Sequence, residues 1–158
     1  MDTDRHVIAE GSYGDGLSWL IWAQRQPSGG AQRGADELMS TIRVTSADGR
    51  VLHEGGAGGP ALYPGDLMNV STGGGDEGPY CLLARVHPGI RRVELATAAG
   101  ESLDVPVYDS ADFPEVRFAA LLVPRELRLD FVAGLGDSGE ELSRFDLTFH
   151  QQFWQRHR

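Results

Sequence analysis

The sequence predicts an all-β chain folded as an antiparallel two-sheet sandwich, and three observations carry that expectation. Between Cys81 and Pro124 apolar residues recur at every second position, as in Leu82, Ala84 and Val86, then Val93 and Leu95, then Leu103, Val105 and Val107. That is the period of a strand with one buried face. The runs are separated by His87-Pro88-Gly89 and by Ala98-Ala99-Gly100-Glu101. Proline there lacks the ladder donor, and glycine accepts turn angles. No stretch of helical period intervenes, so three or four strands in about forty residues point to sheets packed face to face.

Taken in order, the chain opens with residues 1–5 as a tail and a short strand from His6 to Glu10, followed by glycine-rich turn chemistry at Gly11–Gly16. Leu17–Ala23 is apolar on nearly every position and reads as a central strand. Trp19 and Trp22 differ in parity there, so one enters the core and the other lies under a loop or at an interface. Residues 24–36 read as a loop. Leu38, Ser40, Ile42 and Val44 then alternate with polar positions, and Asp48-Gly49 signals a hairpin into Val51 and Leu52. Residues 55–79 hold nine of the 21 glycines together with Pro60, Pro64 and Pro79, and read as one long loop. Its apolar members, such as Leu62, Leu67 and Val70, predict a crossover between two sheets, with a functional lid as the other reading. Val116–Val123 is apolar on both faces and stops at Pro124, as a central strand would. Leu127, Leu129, Phe131 and Ala133 form the next strand, Gly134–Glu141 a turn, and Phe145, Leu147 and Phe149 the last strand. The count is nine or ten strands in a single domain over 1–158, with residues 151–158 as a second tail.

Composition narrows the function classes. A chain of 158 residues can bury about two-thirds of its unfolded surface without a disulfide, and its single Cys81 allows none internally. Cys81 opens an apolar strand and reads as a buried thiol. The net charge of −9 disfavours nucleic acid and anionic membranes as partners. All 14 basic residues are arginine, which we attribute to base composition. No apolar run reaches the ~20 residues of a membrane span, so no membrane insertion is expected. The acidic opening Met1-Asp2-Thr3-Asp4 is unlike a signal peptide, which predicts a cytoplasmic protein.

Chemical motifs are sparse. The histidines at 6, 53, 87, 150 and 157 lack metal-ligand spacing, so no metal is expected. Asp109, Asp112 and Glu115 share a loop but not the spacing of a calcium-binding loop, and read as solvated carboxylates. There is no Gly-x-Ser-x-Gly elbow, and Gly73-Gly74-Gly75-Asp76 is not a phosphate cradle, so neither catalysis nor a cofactor is expected. The expectation is a non-catalytic interaction or binding module with a protein partner or a second copy of itself. Candidate contact residues are Tyr13 in the first turn, Tyr63 and Met68 in the glycine-rich stretch, Tyr80, Tyr108, and Phe153-Trp154 in the tail. Each has a plainer reading as an aromatic or apolar cap on the core. The alternative function is a small-molecule-binding, carbohydrate-binding or hydrolytic domain with its site under residues 55–79.

The segments Val86-His87-Pro88-Gly89-Ile90-Arg91-Arg92-Val93-Glu94-Leu95 up to Gly100, Phe118 to Pro124, and Val132-Ala133 up to Gly139-Glu140-Glu141-Leu142 carry a resemblance. They are similar to uncharacterised β-sandwich proteins of high-GC Gram-positive bacteria, over roughly two-thirds of the chain. The resemblance implies an immunoglobulin-like or similar sandwich, and no activity.

Overall fold

The structure is a computed structural model that describes residues 5–26 and 37–148. Most of the predicted 24–36 loop, nearly all of the first tail and the whole of the second, with Phe153 and Trp154, lie outside the described residues. The described residues form twelve strands: β1 (His6–Tyr13), β2 (Leu17–Gln26), β3 (Glu37–Thr45), β4 (Val51–Ala57), β5 (Met68–Gly73), β6 (Tyr80–Val86), β7 (Arg92–Thr97), β8 (Ser102–Val105), β9 (Val107–Tyr108), β10 (Arg117–Val123), β11 (Leu129–Leu135) and β12 (Glu141–Asp146). They make three antiparallel four-stranded sheets, ordered β1-β2-β3-β4, β5-β6-β10-β9 and β12-β11-β7-β8. The all-β antiparallel expectation therefore holds, but the two predicted sheets are three and the nine or ten strands are twelve.

The third sheet follows from the composition of β6 and β10. Every residue of β6 is buried, including Arg85, which a strand facing core on one side only would not allow. Tyr80, Leu82, Ala84 and Val86 share one face with Ala119 and Val123, and these pack on Val93, Leu95, Val105, Leu129 and Val132 of the third sheet. Cys81 and Leu83 share the other face with Ala120 and Leu122, which meet Ile21, Ile42 and Val44 of the first sheet. The sheet of β5, β6, β9 and β10 is thus the middle of three layers.

The extra strands have local causes. Met68–Gly73, read as loop because glycine and proline surround it, pairs with β6 in register Met68↔Val86 to Gly73↔Cys81. The alternation Leu103, Val105, Val107 reads as one strand, yet Pro106 splits it. β8 pairs with β7 in the third sheet, while β9 pairs with β10 in the middle sheet. Proline has no donor to continue the ladder, and its carbonyl instead accepts from the Ala120 amide at 3.2 Å.

A bulge corrects a third expectation. The pairing of β11 with β7 shifts between Leu129 and Phe131, so Leu129 and Val132 enter the core instead of a strict Leu129–Phe131–Ala133 row. Phe131 lies under the Arg144 guanidinium, 3.6 Å from its ring centroid. The two tryptophans part as their parity requires. Trp19 packs against the core between the first and middle sheets. Trp22, on the opposite face of β2, is buried between the Arg5 and Arg43 guanidiniums, 4.3 and 4.7 Å from its ring. The apolar β2 is therefore covered within the chain, as the central strand of a meander.

Candidate binding cleft

In an antiparallel meander the first and third turns lie at one end of the sheet, and here a third hairpin from the middle sheet joins them. The β1–β2 turn carries Gly14, Asp15 and Gly16. Gly16 lies so close to the β3–β4 turn that a Cβ on it would stand 3.1 Å from Ala47. Gly49, at φ +89°, closes the β3–β4 turn in a backbone region that side chains other than glycine's rarely enter. The β5–β6 connection crosses beside the start of β4, where a Cβ on Gly75 would collide with the Leu52 carbonyl.

The three turns border a shallow, open cleft of about 400 Å³, lined by the half-buried Tyr13, Leu17 and Leu52 and by the exposed Asp15, Arg50 and Glu77. The rim is pinned by an ion pair between Arg50 and Glu77. Below it, Arg125 donates to the carbonyls of Gly75 at 2.8 Å and Gly78 at 3.1 Å, which holds the glycine-rich connection in place. Burial raises the Tyr13 phenol above its ordinary pKa, and the nearby Glu126 carboxylate raises it further.

Of the residues singled out from the sequence, Tyr13 alone lines this cleft. Tyr63 is half exposed on the 58–67 connection, beside Gly59. Tyr108 packs near Trp19, with ring centroids 6.4 Å apart. Met68 and Tyr80 are not surface residues: both are buried in the core between the middle and third sheets, and burial raises the Tyr80 phenol's pKa although Thr72 hydrogen-bonds it. Phe153 and Trp154 lie outside the described residues. Leu17, Leu52, Arg50 and Glu77 were missed, because each reads in sequence as an ordinary strand or turn residue.

The rest of the glycine-rich stretch is fastened to the core. Arg85 projects from β6 between the first and middle sheets, 1 % exposed. Its Nε donates to the Ala61 carbonyl at 3.0 Å. One terminal nitrogen donates to Ser40 Oγ at 2.7 Å and the Ala57 carbonyl at 3.0 Å. The other donates to Gly58 at 3.3 Å and Pro60 at 3.1 Å. All five guanidinium donors are thus used, and residues 57–61 wrap around them. The crossover reading of this stretch agrees with that geometry.

Farther along the same seam, His53, Gly55, Ser71, Gly73 and Cys81 border a cavity of about 50 Å³, room for a water or two. Burial pushes the Cys81 thiol up to about 12, so it stays protonated and is no nucleophile near neutrality. The His53 ring lies between two glycines, where a Cβ on Gly55 or Gly73 would come within 3.2 or 3.3 Å of it. Burial lowers its pKa, with Glu54 opposing. A histidine kept neutral in the fold supports stability above its unfolded pKa of about 6.5, and that support is lost as pH falls toward the lower folded value. Urea midpoints measured from pH 7.5 down to 5 are expected to drop more steeply for the natural chain than for His53→Gln. Parallel curves would remove His53 as the cause.

The carboxylates of the 109–116 loop each have a partner within the chain. Glu115 meets Arg25 at 2.6 Å, Asp109 meets Arg117 at 2.7 Å, and Asp112 meets His6 at 3.1 Å. Among the described residues no group of three or more His, Cys, Asp or Glu is placed to hold a metal ion, and no helix is long and apolar enough to cross a membrane. Compared with known proteins, the chain matches no family model, and no curated protein or solved structure is significantly similar to it.

Proposed function

We propose that this chain is a non-catalytic binding module that receives its partner in the cleft between the β1–β2, β3–β4 and β5–β6 turns. The observation that carries the reading is the cleft itself, about 400 Å³ with an apolar floor and an ion-paired rim. That volume is in the range of clefts that hold ligands, and an apolar floor with a few placed polar groups is their usual make-up. Hairpin turns on a rigid sheet scaffold are also where sandwiches carry binding residues.

The scaffold fits an immunoglobulin-like reading of β5–β12, with the β1–β4 meander added on one face. Numbered from one to eight, these strands lie in the orders 1-2-6-5 and 8-7-3-4. Immunoglobulin-type sandwiches place A-B-E-D against C-F-G, which is this arrangement with one strand added beside C. The alternative of a carbohydrate or hydrolytic site under residues 55–79 has less support. The cavity bordered by His53 and Cys81, about 50 Å³, is too small for a sugar ring and its thiol is protonated, and the hollow of about 250 Å³ beside Gly65, Asp66 and Leu67 is lined by no histidine or cysteine.

Amide spectra of the ¹⁵N-labelled chain, recorded against a library of small apolar and amphipathic fragments, test the reading. Binders are expected to shift Tyr13, Leu17, Leu52 and Gly78 together. A screen whose binders shift only other residues, or that yields no binder, overturns it.

A further inference from the structure

The small cavity in the seam between the first and middle sheets brings together two coordinating groups that the fold leaves unused. His53 projects from the inner face of β4, opposite Val44, and Cys81 from the face of β6 that meets the first sheet. The tip of the imidazole lies beside Gly73, where an added Cβ would stand 3.3 Å from Cε1 and 3.5 Å from Nε2. Gly73 is in turn the register partner of Cys81, and opposed Cβ positions on one face of a sheet lie roughly 5 Å apart. Imidazole and thiol thus enter the same space of about 50 Å³ from its two walls, with Ile42 and Leu83 beside them. The neighbouring hydroxyls are engaged: Ser71 donates to the Leu83 carbonyl at 3.2 Å, and Thr72 hydrogen-bonds Tyr80. Among the described residues no hydrogen bond engages the His53 imidazole or the Cys81 thiol, and no carboxylate lines the cavity.

We infer that His53 Nε2 and Cys81 Sγ form a two-ligand site for a soft monovalent cation of the copper(I) class, held between the first and middle sheets. One nitrogen and one sulfur with no carboxylate suit such an ion, whereas zinc takes four ligands and calcium or magnesium takes a shell of oxygens. Bonds of about 2.0 Å to nitrogen and about 2.3 Å to sulfur span ligands about 4 Å apart, a reach that the facing walls allow. Charge agrees as well. The ion displaces the thiol proton, which passes to solvent, so a neutral thiol becomes a neutral metal thiolate and no net charge is buried. The half-buried edge of His53 is the way in. The site is separate from the cleft, and neither depends on the other.

Titration of the ¹⁵N-labelled full chain tests it, with copper(I) kept anaerobic and buffered by a chromogenic chelator, and with silver(I) as a redox-silent probe. The first equivalent of either ion is expected to shift the amides of His53, Gly55, Gly73 and Cys81 together and to move the His53 Nε2 resonance. His53→Gln, with its fold checked by thermal melting, is expected to bind about tenfold more weakly or worse, and Cys81→Ser to lose the site. Unchanged affinity of His53→Gln would mean that the thiol captures the ion alone, and would overturn the proposal whether or not Cys81→Ser folds. Zinc binding there as tightly as copper(I) would overturn the monovalent class. Shifts confined to other residues, or no binding of the first equivalent, would remove the site altogether.

Discussion

Val93→Asp is expected to yield a chain that does not fold. Val93 is 1 % exposed on β7, opposite Gly134 on one side and Val105 on the other. Its side chain joins the core between the middle and third sheets, whose other members are all apolar. A carboxylate there loses its water, and the arginines that line the hollow beside Val93 are already engaged, Arg117 with Asp109, Arg91 with Asp137, and Arg92 with Glu94 and Asp104. Burying an unpaired charge costs several kcal/mol even when the group protonates, a large part of the roughly 5–15 kcal/mol that holds a domain together. The neighbouring Glu94→Gln is the control, because it alters an exposed ion pair and is expected to change stability by less than about 1 kcal/mol. Far-ultraviolet circular dichroism and thermal melting separate the two. A soluble Val93→Asp chain with the natural melting temperature would mean that β7 does not present this face to the core.

What the sequence disclosed and what it hid divide along physical lines. Alternation revealed β3, β7 and β8, because a strand with one wet face writes its orientation into every second residue, whereas β6, read from Leu82, Ala84 and Val86 as buried on one face, is buried on both. Burial on both faces was visible too, in Leu17–Ala23 and in Val116–Val123, but its consequence was not. An all-apolar strand says that something covers its second face without saying what. Here β10 is covered on both sides by other strands, whereas the outer face of β2 has Arg5 and Arg43 over Trp22. Glycine hid the most. Gly55 and Gly56 belong to β4, where a Cβ on Gly56 would collide with the Ser40 carbonyl, so glycine marks close strand approach instead of a loop. The cleft was half legible. Tyr13, Asp48-Gly49 and the glycines before Pro79 all announced turns, but only the stacking of two sheets brings the third turn beside the other two.

Arg85→Ala is expected to remove about 4–6 kcal/mol of stability, since four carbonyls and one hydroxyl would each lose a donor. Arg85 is a buried cation whose partners are all neutral, so the dipoles of residues 57–61 take the place of water around it. Burial accordingly draws its pKa down. The chain was shaped to this one side chain: β4 ends at Ala57, and the following residues curl until their carbonyls meet the guanidinium plane. Lysine cannot substitute, because an ammonium has three donors on a single centre against the five of the planar fork. Arg85→Lys is therefore expected to recover less than half of the loss. The damage should also be local in origin, as the Leu38 amide bonds the Gly59 carbonyl at 2.8 Å and would be freed with the segment. Urea denaturation gives the total, and amide exchange at Leu38 and residues 58–61 locates it. An Arg85→Ala chain within about 1 kcal/mol of the natural one would mean that water enters and satisfies the carbonyls as well as the guanidinium does.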